Sequence, residues 1–244
     1  MPASDPTFVL SPFDSTPMPS PARLRIDFVS DVACPWCAIG LASLQAALAR
    51  LDGTVQADIH LQPFELNPQL PFEGEDANEH LMRKYGIGED ELETNRAAIR
   101  ERAAALGLAF NMRTGSRIYN TFDAHRLLHW AGIDRPDRVL PLKQALLRAY
   151  FSDGENVADR NVLVRIASAV GLNAEAARRV LESSEYADEV RAQERAFQQA
   201  GIHSVPATIV NGQYLISGGQ PPDAFENALR EIATAAPASQ PALH

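Results

Sequence analysis

The chain has 244 residues, of which 45 % are hydrophobic and 22 % charged, and its formal net charge is −9. This length supports a sizeable core and one to two domains. The acidic excess argues against nucleic acid as a partner. No apolar run approaches the roughly 18 residues that cross a bilayer, so a membrane partner is not expected either.

The segment 1–22 contains six prolines and no basic residue. A secretory signal needs a basic start and an apolar core of about 7–15 residues, and neither is present. We interpret the segment as a disordered arm, because so little apolar surface does not offset the entropy of ordering. The prediction is a cytoplasmic protein, in which a lasting disulfide is disfavoured.

A predicted βαβ unit follows the arm. Apolar and polar residues alternate over 24–30 and again over 55–66, and residues 38–51 repeat apolar side chains at helical spacing. Alternation is typical of strands. With joints this short, we expect the two strands to be parallel, with a right-handed crossover.

Helices are predicted for most of the chain between residues 76 and 200, with almost no strand signal. The predicted stretches are 76–106, 120–131, 138–151, 159–170, 173–183 and 185–200. Gly107, Gly132, Gly171 and Gly201 are predicted to stop four of them, because glycine favours the left-handed conformation at helix ends.

The last part of the chain predicts a ββα unit. Residues 207–217 contain two β-branched or aromatic runs joined by Asn211-Gly212, which favours a hairpin with a two-residue turn. Residues 222–233 then show helical spacing, and residues 236–244 are expected to form a flexible tail.

The two cysteines of the chain lie three positions apart in DVACPWCAIG, where the first strand meets the first helix. Helix N-termini stabilise thiolates, and the thiolate is the form that attacks disulfides. We expect Cys34 to be the exposed attacking thiol. Cys37 lies deeper on the same face and would attack the resulting mixed disulfide.

Two alternatives for the cysteines stay open. A structural zinc site normally has four ligands, and His125 and His129 have ligand spacing, although the same window is typical of an amphipathic helix. An inert buried pair is the other alternative. The strand-to-helix placement favours redox chemistry over both, with no metal.

Pro206 stands immediately before a predicted strand, where proline is tolerated. A cis bond after Val205 is one reason for a proline there, while an ordinary trans proline is what sequence alone favours. In the cis arrangement, the Val205 backbone would be free beside Cys34 to bond an extended peptide or a small thiol.

These features resemble the thioredoxin superfamily, and the long helical insertion is similar to its DsbA-type branch. A closer resemblance to FrnE-like DsbA oxidoreductases is carried by DVACPWCAIG, PFELNP, NTFDAHRLLHWA, LLRAYFSDGENV and GIHSVPATIVNGQYLISGGQPPDAF. The fold class implied is α/β, a thioredoxin-like βαβ…ββα fold with a large all-helical insertion. The thioredoxin-like domain would comprise 23–75 and 185–235, and the insertion 76–184.

The resemblance implies thiol–disulfide exchange by an oxidoreductase or isomerase. By motif match, Cys34 is the nucleophile, Cys37 the resolving thiol and Pro206 the cis-proline. Trp36, Val205 and Pro206 would bind substrate. The expected partners are protein or small-molecule thiols and disulfides, with no cofactor beyond the redox pair and with glutathione as a candidate co-substrate.

The sequence departs from the pattern at two positions. Pro35-Trp36 replaces the His that many oxidising relatives carry between the cysteines, so strong activation of Cys34 is not implied. Phe28 occupies the position where thioredoxin-type proteins often keep a buried acid. Deprotonation of Cys37 would then depend on water, on Asp31 or on a group from the insertion.

Two other functions compete with disulfide exchange. One is a glutathione-dependent isomerase or transferase of the 2-hydroxychromene-2-carboxylate isomerase or kappa type, against which the second thiol, Cys37, argues. The other is a chaperone-like module whose insertion forms a client groove. An apolar face on the insertion would also allow a homodimer.

Overall fold

The computed structural model describes residues 21–111 and 115–235, so the predicted tail over 236–244 and nearly all of the predicted arm lie outside the described residues. The elements are, in chain order, β1 (Ala22–Ser30), α1 (Pro35–Arg50), β2 (Val55–Pro63), β3 (Glu75–Asp76), α2 (Ala77–Tyr85), α3 (Glu89–Ala104), β4 (Arg117–Ile118), α4 (Phe122–Asp134), α5 (Val139–Phe151), α6 (Arg160–Ala169), α7 (Ala174–Glu182), α8 (Ala187–Gln199), β5 (Ala207–Val210), β6 (Tyr214–Ser217) and α9 (Pro222–Ala235). Within these residues, no helix is long and apolar enough to span a membrane.

The central sheet has the strand order β2-β1-β5-β6. β1 and β2 are parallel, with Ile26 opposite Ile59, and β5 runs antiparallel to both β1 and β6. The predicted βαβ and ββα units are therefore confirmed, and they meet where β5 pairs with β1. This is the predicted α/β class.

The hairpin between β5 and β6 differs from its prediction in length. Three residues, 211–213, separate the strands rather than two. Asn211 and Gly212 do have positive φ, 54° and 67°, and the Gln213 N–H donates to the Val210 carbonyl at 3.1 Å. The register places the extra residue, Gln213, opposite Asn211, beyond the last paired residues of the ladder.

The helical part corrects three sequence predictions. The stretch 76–106 is two helices, because Gly86 ends α2 in the left-handed conformation. Gly132 does not stop α4, which continues to Asp134. The two short strands β3 and β4, which pair Glu75 with Ile118, were not predicted because two residues carry no periodicity.

Two large hydrophobic clusters include residues that flank the cysteines in the chain, Val32 in one and Ala38 in the other. One joins the sheet to α1 and α9 and includes Phe28, Leu44 and Phe225. The other joins α4 to α7 and includes Leu127 and Leu146. Helix α5 contributes buried residues to both clusters and therefore connects the helical part to the sheet domain. The predicted domain boundaries at residues 75 and 185 remain a proposal.

Candidate active site

The cysteine pair lies at the beginning of α1, as predicted. Cys34 is the N-cap residue, and its carbonyl accepts hydrogen bonds from the N–H groups of Cys37 at 3.1 Å and Ala38 at 3.3 Å. Pro35 takes the first helical position. Both thiols are free and buried, and Cys34 is only 3 % exposed. The expectation of an exposed Cys34 is therefore wrong, because flanking loops cover it.

The loop before β5 is one of these covering loops. The Cys34 thiol donates to the Val205 carbonyl with a sulfur–oxygen distance of 3.7 Å, and the Val205–Pro206 peptide bond is cis. Pro206 is buried and packs on α1, where a Cβ added at Gly40 would lie 3.0 Å from its Cγ. A Cβ at Gly219 would lie 2.8 Å from the Trp36 carbonyl oxygen. Gly40 therefore permits the close approach of Pro206 to α1, and Gly219 permits that of the segment after β6 to Trp36.

Cys34 is reached from a large cavity of about 1110 Å³. Its lining includes Cys34, Trp36 and Val205 together with apolar side chains of α2 and α3. Trp36 is half-buried, with the Arg102 guanidinium 5.7 Å from its ring centroid. The cavity thus combines a thiol, an aromatic face and an apolar wall. Sequence reasoning did not foresee this enclosure by the helical part.

A lysine and a tyrosine of α2 extend the polar part of the cavity. Lys84 Nζ donates to the Leu66 carbonyl at 3.1 Å and to Asn67 Oδ1 at 2.7 Å. Burial lowers the pKa of Lys84, while the charges of Asp31 and Cys34 act in the opposite direction. Burial raises the pKa of Tyr85, and Cys34 adds to the effect. No motif in the sequence marked either residue.

Asp31 is buried directly before the cysteine segment. Its carboxylate accepts hydrogen bonds from the N–H of Leu66 at 2.7 Å and that of Ala33 at 3.3 Å, and His125 Nε2 lies 3.4 Å away. Burial raises the pKa of Asp31, but the hydrogen bond and charge of His125, together with the hydrogen bonds of Leu66 and Thr121, outweigh it, so the pKa lies below its usual value.

The two histidines with ligand spacing have separate partners. His125 faces Asp31, whereas His129 Nδ1 lies 3.3 Å from Gln193 Oε1. Over residues 21–111 and 115–235, no cluster of three or more His, Cys, Asp or Glu side chains is arranged to hold a metal ion.

Cys37 is the more deeply buried thiol of the pair, and the charge of Lys143 acts on it. Burial raises the pKa of the Cys37 thiol well above its usual value, and the neighbouring Cys34 adds to this. Lys143 of α5 is buried close by, and its Nζ donates to the Ser30 carbonyl at 3.5 Å. In the sequence, the feature that could have indicated a buried Lys143 is its position between Leu142 and Leu146 in an otherwise apolar part of the helix.

Glu65 forms a second buried cluster at the edge of the cavity. Arg191 bonds both Glu65 and Glu194, and one carboxylate oxygen of each acid has no hydrogen-bond partner. Burial, together with the charge of Glu194, raises the pKa of Glu65 to about 8. One arginine therefore serves two acids, and burial favours the protonated form of Glu65.

This raised pKa predicts a loss of stability as the pH increases. The unfolded state releases the Glu65 proton near its ordinary pKa of about 4.3, whereas the folded state holds it to about 8. The folded state therefore binds more protons between these values, and the free energy of unfolding falls across that window. In Glu65→Gln, we expect the free energy of unfolding to decrease with pH by at least about 1 kcal/mol less than in the wild type, because the amide has no proton to lose. Urea unfolding at pH 5.5 and 8.5 tests this, and equal changes in both proteins would contradict it.

The sheet order, the dithiol at the start of α1 and the loop of Val205 facing it define a thioredoxin-like protein with a helical insertion. The family model of the DSBA-like thioredoxin domain matches residues 25–230, and the chain belongs to that family.

Known proteins support this assignment. The structure of a probable DsbA oxidoreductase from Streptomyces coelicolor is 35 % identical, with a TM-score of 0.80, and the match covers 90 % of this chain and 94 % of that one. YwbO of Bacillus subtilis, described as uncharacterised, is 26 % identical over 213 residues, 85 % of this chain and 96 % of that protein. The cytosolic disulfide reductase DsbM of Pseudomonas aeruginosa, solved with GSH as well, shares the fold at 18 % identity and a TM-score of 0.60, with 87 % of this chain and all of that one covered.

Proposed function

We propose that the protein is a FrnE-like thiol–disulfide oxidoreductase in which Cys34 attacks a substrate disulfide and Cys37 resolves the mixed disulfide. The observation that carries the proposal is the position of the two thiols. Cys34 lines the cavity, whereas Cys37 lies one turn further into α1 and is fully buried. A substrate sulfur can therefore meet Cys34 first, as a nucleophile and a resolving thiol require.

The shape of the cavity favours substrates whose disulfide is part of a small molecule or of an extended peptide segment. Cys34 is nearly covered by the Val205 loop, so a flat protein surface does not reach it. A small disulfide or an extended peptide segment can enter between Trp36 and Val205. In this proposal the indole face of Trp36 packs on the substrate, and the backbone of Val205, held by Pro206, bonds it in an extended form.

The chemistry of the exchange needs no bound cofactor. Two electrons pass from the two thiols to the substrate disulfide, which leaves as two thiols while Cys34 and Cys37 become a disulfide. A second thiol such as glutathione can then return the pair to its reduced form. The cytoplasmic location predicted from the sequence is part of this proposal, because a reducing thiol pool supplies that step.

A second candidate is a glutathione-dependent isomerase or transferase. The enclosed cavity beside a single accessible thiol favours it, since such a cavity suits a small thiol and its conjugate. The structure of DsbM solved with GSH shows a protein of this fold together with that thiol. In this case Cys37 would be dispensable.

Equilibration with defined glutathione ratios, followed by alkylation and mass determination, tests the proposed function. We expect both thiols to disappear together in one two-electron transition. A midpoint near about −270 mV would assign a reductant, and one near about −120 mV an oxidant. Cys37→Ser is the control, because it can form only a mixed disulfide with glutathione at Cys34.

The opposite outcome is equally readable. If both cysteines stay alkylatable at the most oxidising ratio, the exchange proposal fails. Binding of glutathione without any disulfide between the cysteines would then favour the isomerase or transferase.

A further inference from the structure

Lys143 is a buried cation that the exchange steps above do not use. Its side chain is only 1 % exposed, and it reaches from α5 of the helical part to the Ser30 carbonyl, 3.5 Å from Nζ. It forms no ion pair with a carboxylate in the part of the chain that the structure describes. Burial of an unpaired ammonium group is costly, so a buried lysine of this kind tends toward its neutral amine form.

The position of Lys143 relates it to Cys37 through one peptide group. The carbonyl of the Ser30–Asp31 peptide accepts from Lys143, and the N–H of the same peptide faces the Cys37 thiol. Among the groups whose charge acts on Lys143, Cys37 is the foremost, followed by Asp31 and Cys34. Burial lowers the pKa of Lys143 and raises that of Cys37, so the two groups approach each other in proton affinity.

We propose that the neutral amine of Lys143 takes the proton from Cys37 when Cys37 attacks the mixed disulfide at Cys34. This inference rests on the proposed exchange function and concerns its second step. Cys37 has no exposed surface from which bulk water could take the proton. Lys143 is held next to it by α5, so the base comes from the helical part rather than from the sheet domain.

Asp31 is a poorer base for this proton. Its carboxylate already accepts two backbone N–H bonds and faces His125, and its pKa lies below its usual value despite burial. A carboxylate stabilised in this way has little affinity for a thiol proton. Its negative charge instead supports the ammonium form of Lys143 once the proton has moved.

The step is balanced in atoms and electrons. The Cys37 proton moves to Lys143 Nζ, and the Cys37 thiolate forms a bond to Cys34 Sγ. The bond between Cys34 and the substrate sulfur breaks, and its electron pair leaves with the substrate thiolate. That thiolate takes the proton from Lys143, directly or through solvent, and this transfer restores the neutral amine. The thiolate and the ammonium form side by side, so their mutual attraction offsets part of the cost of creating two charges in a site shielded from water.

Several titratable groups surround this site and shape its pH dependence. They are Asp31 between β1 and α1, Cys34 and Cys37 at the start of α1, His125 on α4, Lys84 on α2 and Tyr150 on α5. Lys84 is the useful contrast, because the charges of Asp31 and Cys34 act on it, while Lys84 is not among the influences on Cys37.

Reaction of the reduced protein with 5,5′-dithiobis(2-nitrobenzoate) in a stopped-flow instrument separates the two steps. Attack by Cys34 releases one thionitrobenzoate, and attack by Cys37 on the mixed disulfide releases a second. In the wild type, the rate of the second release should rise with pH and reach a plateau once the Lys143–Cys37 pair has lost one proton. In Lys143→Met it should be lower by about 10²-fold at neutral pH and should keep rising with pH beyond that plateau.

The matched control is Lys84→Met, which removes a cation near Cys34. It should slow the first release, while the second release keeps its plateau. Lys143→Gln provides a second neutral variant with a polar end, should the Met variant fail to fold. The wild-type profile alone is also decisive, since a second release that rises without a plateau would overturn the role of Lys143.

The outcomes distinguish this inference from the function on which it rests. Release of only one thionitrobenzoate by the wild type would overturn the exchange function itself. Release of two, with an unchanged second phase in the Lys143 variants, would leave exchange standing and remove Lys143 from it.

Discussion

Replacement of Cys34 by serine is expected to reduce insulin disulfide reduction, driven by dithiothreitol, to the uncatalysed rate, a loss of at least about 10³-fold. A serine hydroxyl at the same position is not a nucleophile toward disulfides, because its pKa is far above that of a thiol. The remaining Cys37 does not substitute for it, since Cys37 is fully buried and its pKa is raised by that burial.

The matched variant Cys37→Ser separates attack from resolution. It should still react once with a disulfide and then stop, because the mixed disulfide at Cys34 has no internal thiol to resolve it. Intact-mass measurement would show one substrate half attached to this variant and none to Cys34→Ser. Insulin reduction at the wild-type rate by Cys34→Ser would rule out the assignment of the nucleophile.

Replacement of Arg126 by methionine is expected to lower the free energy of unfolding by roughly 3–5 kcal/mol, because it leaves buried partners without their charge. The Arg126 guanidinium is buried and donates to the carbonyl of Val180 near the end of α7, to those of Ser183 and Glu185 in the connection between α7 and α8, and to Asp123. Methionine fills much of the volume but satisfies none of these acceptors.

Arg160→Met is the control for this experiment. Arg160 Nε also contacts Asp123, at 3.0 Å, but about half of the Arg160 side chain is exposed, so its loss should cost less than about 1 kcal/mol. For a chain of this size, the Arg126 variant should melt roughly 6–20 °C lower. Urea unfolding of the two variants decides the matter, and equal midpoints would refute the buried-network explanation.

Both stability and the site depend on α4. The helix carries Arg126 toward α7 and α8, and the preceding residue, His125, faces Asp31 beneath the cysteine segment. We therefore expect Arg126→Met to weaken the support of Asp31 in addition to the fold as a whole.

The local part of the site could be predicted from the sequence. Cys34, Pro35 and Cys37 follow one another at a strand-to-helix junction, and this order alone determines which thiol is the N-cap and which lies one turn further on. The pairing of β1 with β2 was equally accessible, because alternation and joint length specify a parallel βαβ unit.

Errors arose where packing overrides local preference. Gly132 has no cap role, because α4 continues to Asp134. Cys34 was expected to be exposed, yet the loop of Val205, more than 170 positions away in the chain, covers it. The residues adjacent to Gly132 and to Cys34 in the sequence do not indicate what packs around these two positions in the fold.

The sequence alone determined two features of this protein, the dithiol at the start of a helix and the βαβ and ββα units that form the sheet. Each of these features depends on residues close together in the chain. The tertiary structure decided the surroundings of that dithiol. Only folding encloses Cys34 in a cavity, and only folding brings Lys143 from α5 beside Cys37. The physical reason is that burial and charge act through space, and the residues that supply them are separated by more than a hundred positions along the chain.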